Sequence, residues 1–169
     1  MHSLVLENEE GPLDRRIYSL STETHEELHD AIAAASQHHF VLFLAWDARG
    51  VPDQTVISFA RSLVRSGLAY IVAWGPDCER VHDLFDEVDI QENPESNAPG
   101  TDTVIMSTWH DTQPLEEALW FSLHSAYPAS PYDRSTTATI AAAIASPAWG
   151  ASIHRYLQDL PALDQAVGV

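Results

Sequence analysis

Hydrophobic runs of strand length recur along the chain. Residues 40–46, 69–74 and 103–109 are apolar almost throughout, and residues 16–20 form a weaker run. Strands that are covered on both faces lack the alternation of polar and apolar positions that marks a half-exposed strand. The pattern therefore predicts four strands in the interior of a sheet.

Segments with helical periodicity follow these hydrophobic runs. Each run is followed by a segment whose apolar residues share one helical face, and these segments begin near His25, Asp53, Asp77 and Pro114. Thr24 and Glu27 have the spacing of a capping box before the first helix. Alternating strands and helices predict an α/β three-layer sandwich, with a mostly parallel four-stranded sheet between helices. This arrangement is typical of Rossmann-like and flavodoxin-like proteins.

The C-terminal third has a different composition. Residues 135–146 are rich in alanine, which favours helix, and residues 152–160 form a second helical pattern that Pro161 ends. We therefore expect a single domain over residues 1–169, with a core over about 15–127 and a C-terminal helical extension over about 135–167.

The charge of the chain is strongly negative and uneven. Eight arginines and no lysine stand against 25 acidic residues, for a formal net charge of −17, and segments 7–30 and 77–102 carry −14 of it. Nucleic acids and anionic membranes need positive charge, so both are excluded as partners. The concentrated charge predicts an acidic face that binds a basic protein partner, although a solvated surface explains it equally well. That face comprises the first helix together with Glu79, Asp83, Asp86, Glu87 and Asp89.

Two further features of the composition restrict the chemistry and the location. Without lysine, the chain has no residue for a Schiff base or a P-loop contact, and its single cysteine excludes an internal disulfide. No apolar run is long enough for a membrane span, and the N-terminus does not resemble a signal peptide. We expect a cytoplasmic protein without a cofactor, and the sequence indicates no particular oligomeric state.

Three predicted strands end in tryptophan followed by a polar or flexible residue. Ligands of open α/β sheets bind beyond the carboxyl ends of the strands, so these residues could line a ligand cleft. Alternatively, the indoles seal the end of the sheet or contribute to a protein interface. The cleft would be lined by Trp46, Asp47, Trp74, Gly75, Asp77 and Trp109.

Cys78 lies in the first turn of a predicted helix, where the helix dipole lowers the pKa of a thiol. With His110 as base and Asp111 to orient it, Cys78 could act as the nucleophile of a hydrolase or transferase. The neighbouring carboxylates Asp77 and Glu79 oppose this interpretation, because negative charge raises the pKa of a thiol.

A metal-binding alternative comes from His25-Glu26-Glu27-Leu28-His29. These five residues resemble the H-E-x-x-H motif of zinc metallopeptidases, which implies His25 and His29 as ligands and Glu26 as general base. The extended histidine spacing of metzincins is absent, and an exposed first helical turn explains the same residues.

The sequence as a whole favours a non-enzymatic acidic binding or accessory protein, such as an adaptor or an immunity-like protein, that binds a basic protein. A Cys-His-Asp hydrolase or transferase and an H-E-x-x-H metal-dependent hydrolase are the alternatives.

Overall fold

A computed structural model describes residues 2–35, 38–95 and 103–169. These residues form a six-stranded sheet and six α-helices. The strands are β1 (Val5–Asn8), β2 (Arg16–Thr22), β3 (His39–Trp46), β4 (Leu68–Trp74), β5 (Met106–His110) and β6 (Thr136–Ile144). The helices are α1 (His25–Ala35), α2 (Asp53–Arg65), α3 (Cys78–Glu92), α4 (Leu115–His124), α5 (Pro147–Gln158) and α6 (Leu160–Val167). None of the helices in these ranges combines the length and the hydrophobicity that crossing a bilayer requires.

The strand order is β1-β2-β6-β3-β4-β5. β1 is antiparallel to β2, and the other neighbouring pairs are parallel. The predicted α/β class and the mostly parallel sheet are confirmed, but the sheet has six strands rather than four. The two additional strands are β1 and β6, and β1 is a short edge strand with little hydrophobic signal.

The alanine-rich segment 135–146 is a strand and not the predicted helix. β6 lies between β2 and β3, with Ala141, Ala142 and Ala143 fully buried. Alanine has the highest helix propensity, but propensity is a weak preference that burial and pairing on both sides override. The helix predicted over residues 152–160 corresponds to α5, whereas α6, which has Pro161 in its first turn, was not predicted.

The helices cover both faces of the sheet because the chain reverses direction once. It passes from β2 to β3, β4 and β5, and then returns to β6 in the middle. Right-handed crossovers place the helices of a forward run on one face and the helix of a return on the other. Accordingly, α1, α2 and α3 enclose one hydrophobic core, and α4, α5 and α6 enclose a second.

The start of α1 has the predicted capping box, whereas the start of α3 has no side-chain cap. The box before α1 is confirmed, since the backbone N–H of Glu27 donates to Thr24 Oγ1 at 3.2 Å and Glu27 Oε2 accepts from the backbone N–H of Thr24 at 3.4 Å. Asp77 precedes α3 with a left-handed backbone (φ 68°), but its side chain does not cap the helix. Its carboxylate instead binds Arg80.

Candidate functional site

The parallel register separates the three tryptophans predicted to line a common cleft. Trp74 lies beside Ala45 rather than Trp46, and Trp109 lies beside Ala73. Because side chains alternate between the faces of a strand, a one-residue offset places Trp46 and Trp74 on opposite faces. The two strand ends therefore do not present their indoles to one cleft.

Each indole has a different environment. Trp46 is buried in the core of α1–α3, in edge contact with Phe59. Trp74 packs against Trp149 of α5, and its Nε1–H donates to the carbonyl of Gln113 at 2.8 Å. Trp109 is 42% exposed and lies on the α3 side of the sheet, against His82. The first two indoles are packing residues, and only Trp109 is available to a partner.

The remaining residues of the predicted cleft hold the loops at the strand ends. Gly75 has φ 114°, and a Cβ there would lie 2.5 Å from the carbonyl oxygen of Trp46. Asp47 forms an ion pair with Arg49 at 2.7 Å. Arg80 bridges Asp77, Asp53 and the carbonyl of Ala48, each at 2.7 Å, which ties α3 to α2 and to the end of β3. These contacts are structural.

Cys78 and His110 do not form a thiol–imidazole pair. The Cys78 side chain is 1% exposed, and burial raises the pKa of its thiol, with Asp111 and Glu79 adding to the increase. The His110 ring lies on the α4 side of the sheet against Phe121, where its nitrogens contact Gln113 and Thr108. The group of His110 that approaches the sulfur is its backbone N–H. The helix start thus does not produce the activated thiol that the sequence predicted.

The two histidines of the H-E-x-x-H segment contact different carboxylates. His25 packs against Phe59 and contacts the Glu26 carboxylate at 3.2 Å, whereas His29 contacts Asp30 at 3.4 Å. In the part of the chain that the structure describes, no three histidine, cysteine or carboxylate side chains are grouped so that they could hold a metal ion.

Helix α3 carries most of the predicted acidic face. Glu79, Asp83 and Glu87 are exposed at intervals of one helical turn, and Asp86 is half-buried beside them. We refer to these four residues as the α3 carboxylates. Asp83 Oδ1 contacts His82 Nδ1 at 2.9 Å, and Asp86 accepts a short hydrogen bond from the hydroxyl of Ser107 in β5.

Asp89 does not belong to this face, although the sequence placed it there. It is 3% exposed, and its carboxylate accepts from the backbone N–H of Ile105 at 3.1 Å and from Asn93 Nδ2 at 2.8 Å. Burial raises its pKa, and the charge of Asp86 adds to the increase. Asp89 therefore anchors the approach to β5 rather than contacting a partner.

The acidic residues of α1 lie apart from the α3 carboxylates. α2 packs against both α1 and α3, and it contributes Arg61 and Arg65 to the surface between them. Both arginines bind Glu92, at 2.9 and 3.1 Å. The predicted combined face of α1 and α3 is thus interrupted by a neutralised stretch.

A cleft of about 460 Å³ lies at the opposite end of the sheet, where the sequence predicted no site. It lies at the amino ends of β2, β3 and β6, and among its lining residues are Arg16, Tyr18, His39 and Ile140. His39 Nδ1 lies 2.7 Å from Ser135 Oγ, and burial lowers the His39 pKa, with His38 adding to the effect. The backbone N–H of His39 also donates to the Ser135 carbonyl, so this pair joins the starts of β3 and β6.

A comparison with known families identifies one match. The family model described as Domain of unknown function (DUF7684) matches residues 17–160, which extend from the second residue of β2 to the start of α6. No curated protein matches the chain.

Proposed function

The chain belongs to the DUF7684 family, and we propose that it is a non-enzymatic binding protein, an adaptor or immunity-like protein, that binds a basic protein partner. The α3 carboxylates are the binding surface, and the cytoplasm is the compartment that the sequence favours. The proposal depends on how charge is distributed over α3 and its neighbours.

The observation that carries the proposal is an imbalance of ion pairs. Across the described ranges, no arginine pairs with Glu79, Asp83, Asp86 or Glu87. The arginines of α2 and α3 bind other carboxylates, namely Glu92, Asp53 and Asp77. Among the described residues no arginine compensates this row, which contacts the His82 ring at Asp83 and Asp86. A basic partner therefore gains attraction there without displacing an existing arginine.

The geometry of the other candidates favours binding over catalysis. The thiol of Cys78 is buried and has a raised pKa, whereas a catalytic thiol needs access and a lowered pKa. His25 and His29 pair with neighbouring carboxylates. These environments support a binding function at α3 more strongly than either hydrolase alternative.

The test is affinity capture from the native source with matched variants. We expect the wild-type chain to retain a protein with a basic surface that elutes as salt is raised, because exposed charge pairs are screened. Glu79→Gln/Glu87→Gln should lose this protein. Glu9→Gln/Glu10→Gln removes the same number of exposed charges near β1 and should retain it. Equal capture by both double variants would refute the proposal.

A further inference from the structure

We propose that the partner contributes an extended basic segment that pairs with β5 as a seventh strand, beside the α3 carboxylates. This inference rests on the proposed function, and it specifies the partner's conformation and its contacts. The segment alternates basic and apolar residues, with the basic side chains directed to the α3 side of the sheet.

The position of β5 at one edge of the sheet supports this pairing. In the described part of the chain, β5 is the outermost strand next to β4 and has a strand neighbour on one side only. Edge strands are commonly protected by lysine, proline or a bulge. Met106–His110 contains neither residue, and its register with β4 is continuous. Unprotected edges of this kind accept an extended peptide through backbone hydrogen bonds.

The side chains on the α3 side of β5 also suit a basic segment. Ser107 and Trp109 face α3, where Ser107 bonds Asp86 and Trp109 packs on His82 with 4.5 Å between ring centroids. The exposed Trp109 ring offers a surface for an arginine guanidinium through a cation–π contact. A strand added to β5 would place its basic side chains between this ring and the α3 carboxylates.

The two faces of β5 carry different side chains. Met106, Thr108 and His110 alternate with Ser107 and Trp109, so they lie on the α4 side of the sheet. Met106 is exposed there. A partner segment with alternating basic and apolar residues would direct its basic side chains to the α3 carboxylates and an apolar side chain to Met106.

The negative charge around β5 favours a different protein, rather than a second copy of this chain, as the molecule that pairs with the strand. Pairing β5 with β5 of another copy would bring two sets of α3 carboxylates together, and like charges in an interface oppose association. The chain as a whole, at −17, repels its own copies in the same way.

The test uses a synthetic seven-residue peptide that alternates arginine and valine, titrated into the full chain. Two further peptides carry N-methyl groups on all arginine residues or on all valine residues. Alternate N–H groups of an added strand point toward β5, so one methylated peptide should bind at least about tenfold more weakly and the other within about twofold. The parent peptide should also shift the backbone amide resonances of β5.

Each outcome separates this inference from the proposed function. If both methylated peptides bind as the parent does, or the perturbed resonances belong to β1 instead, strand addition is refuted. If the parent peptide does not bind, but a captured partner still depends on Glu79 and Glu87, strand addition fails and the α3 surface stands. Self-association of the chain that the peptide reverses would assign the edge to a second copy and overturn the inference.

Trp109→Leu provides a second readout on the chain itself. The variant keeps an apolar side chain at the edge but removes the aromatic face, so the parent peptide should bind about fivefold more weakly. The control substitution Val5→Ala lies in β1, at the opposite edge of the sheet, and should leave peptide binding unchanged. Equal binding by Trp109→Leu and the wild type would exclude the stacking contact.

Discussion

At the scale of single residues, burial decides which ionisable groups are chemically available. Cys78 begins α3, a position that lowers the pKa of an exposed thiol, yet it lies in the core of α1–α3. Asp89 occupies an acidic helix, yet it is enclosed by the approach to β5. The sequence identifies the residue types and their helix positions, but it does not indicate which side of α3 is covered by β5.

The buried thiol leads to a prediction about reactivity. Cys78 in the folded chain should react with a disulfide reagent at least ~100-fold more slowly than in urea-denatured chain, because the thiol is inaccessible and its pKa is raised. Absorbance of the released thiolate measures both rates. Fast disulfide exchange at Cys78 in the folded state would restore the nucleophile hypothesis.

Asp89 leads to a prediction about pH. Its pKa is raised by burial, so the folded state binds the proton more tightly than the unfolded chain. The resulting stabilisation is complete below the unfolded pKa of about 3.9 and is lost as pH rises through the folded pKa. The free energy of unfolding of Asp89→Asn, relative to the wild type, should therefore increase between about pH 3 and 7.

Urea denaturation at several pH values measures this difference. Glu87→Gln removes an exposed carboxylate from the same helix and serves as the control for the loss of one charge. A relative stability of Asp89→Asn that falls as pH rises would contradict the assignment of Asp89 as a buried group.

At the scale of secondary structure, periodicity identified the strands and helices whose pattern is unambiguous. β3 and β4 are continuous hydrophobic runs, and α1 has its capping box. The sequence of β6 predicts helix because its alanines reflect composition and not strand pairing. Its central place in the sheet depends on contacts with β2 and β3, which are distant in sequence. The predicted tryptophan cleft failed for a related reason, since register between strands is not encoded within either strand.

Small side chains near β6 allow close packing, which a substitution can test. A Cβ on Gly150 of α5 would lie 2.4 Å from Ser21 Oγ and 2.7 Å from Ser21 Cβ. Alanine normally stabilises a helix interior by about 1 kcal/mol over glycine. Gly150→Ala should instead destabilise the chain by about 1–3 kcal/mol, because the added methyl overpacks the contact with β2.

Chemical denaturation measures the effect, and a second substitution identifies its cause. In a Ser21→Gly background both opposing atoms are absent, so Gly150→Ala should cost less than in the wild-type background. A gain in stability from Gly150→Ala alone would show that α5 does not approach β2 closely.

At the scale of the whole molecule, the fold divides the negative charge into separate surfaces. The acidic residues of α1 and the α3 carboxylates belong to the same helical layer, but α2 and its paired arginines lie between them. The sequence predicts which segments are acidic, and the structure places a row of carboxylates without arginine partners on α3, next to the edge strand β5. Partner binding should therefore depend on the local charge of the α3 carboxylates rather than on the net charge of −17.

The most direct test of the α3 binding surface is the salt dependence of the dissociation constant for the captured partner, measured by calorimetry at about 50 and 300 mM NaCl. For the wild type and for Glu9→Gln/Glu10→Gln, binding should weaken by about tenfold or more as salt rises. Glu79→Gln/Glu87→Gln should bind more weakly at low salt and should depend less on salt. The same affinity and the same salt dependence in all three proteins would contradict the account.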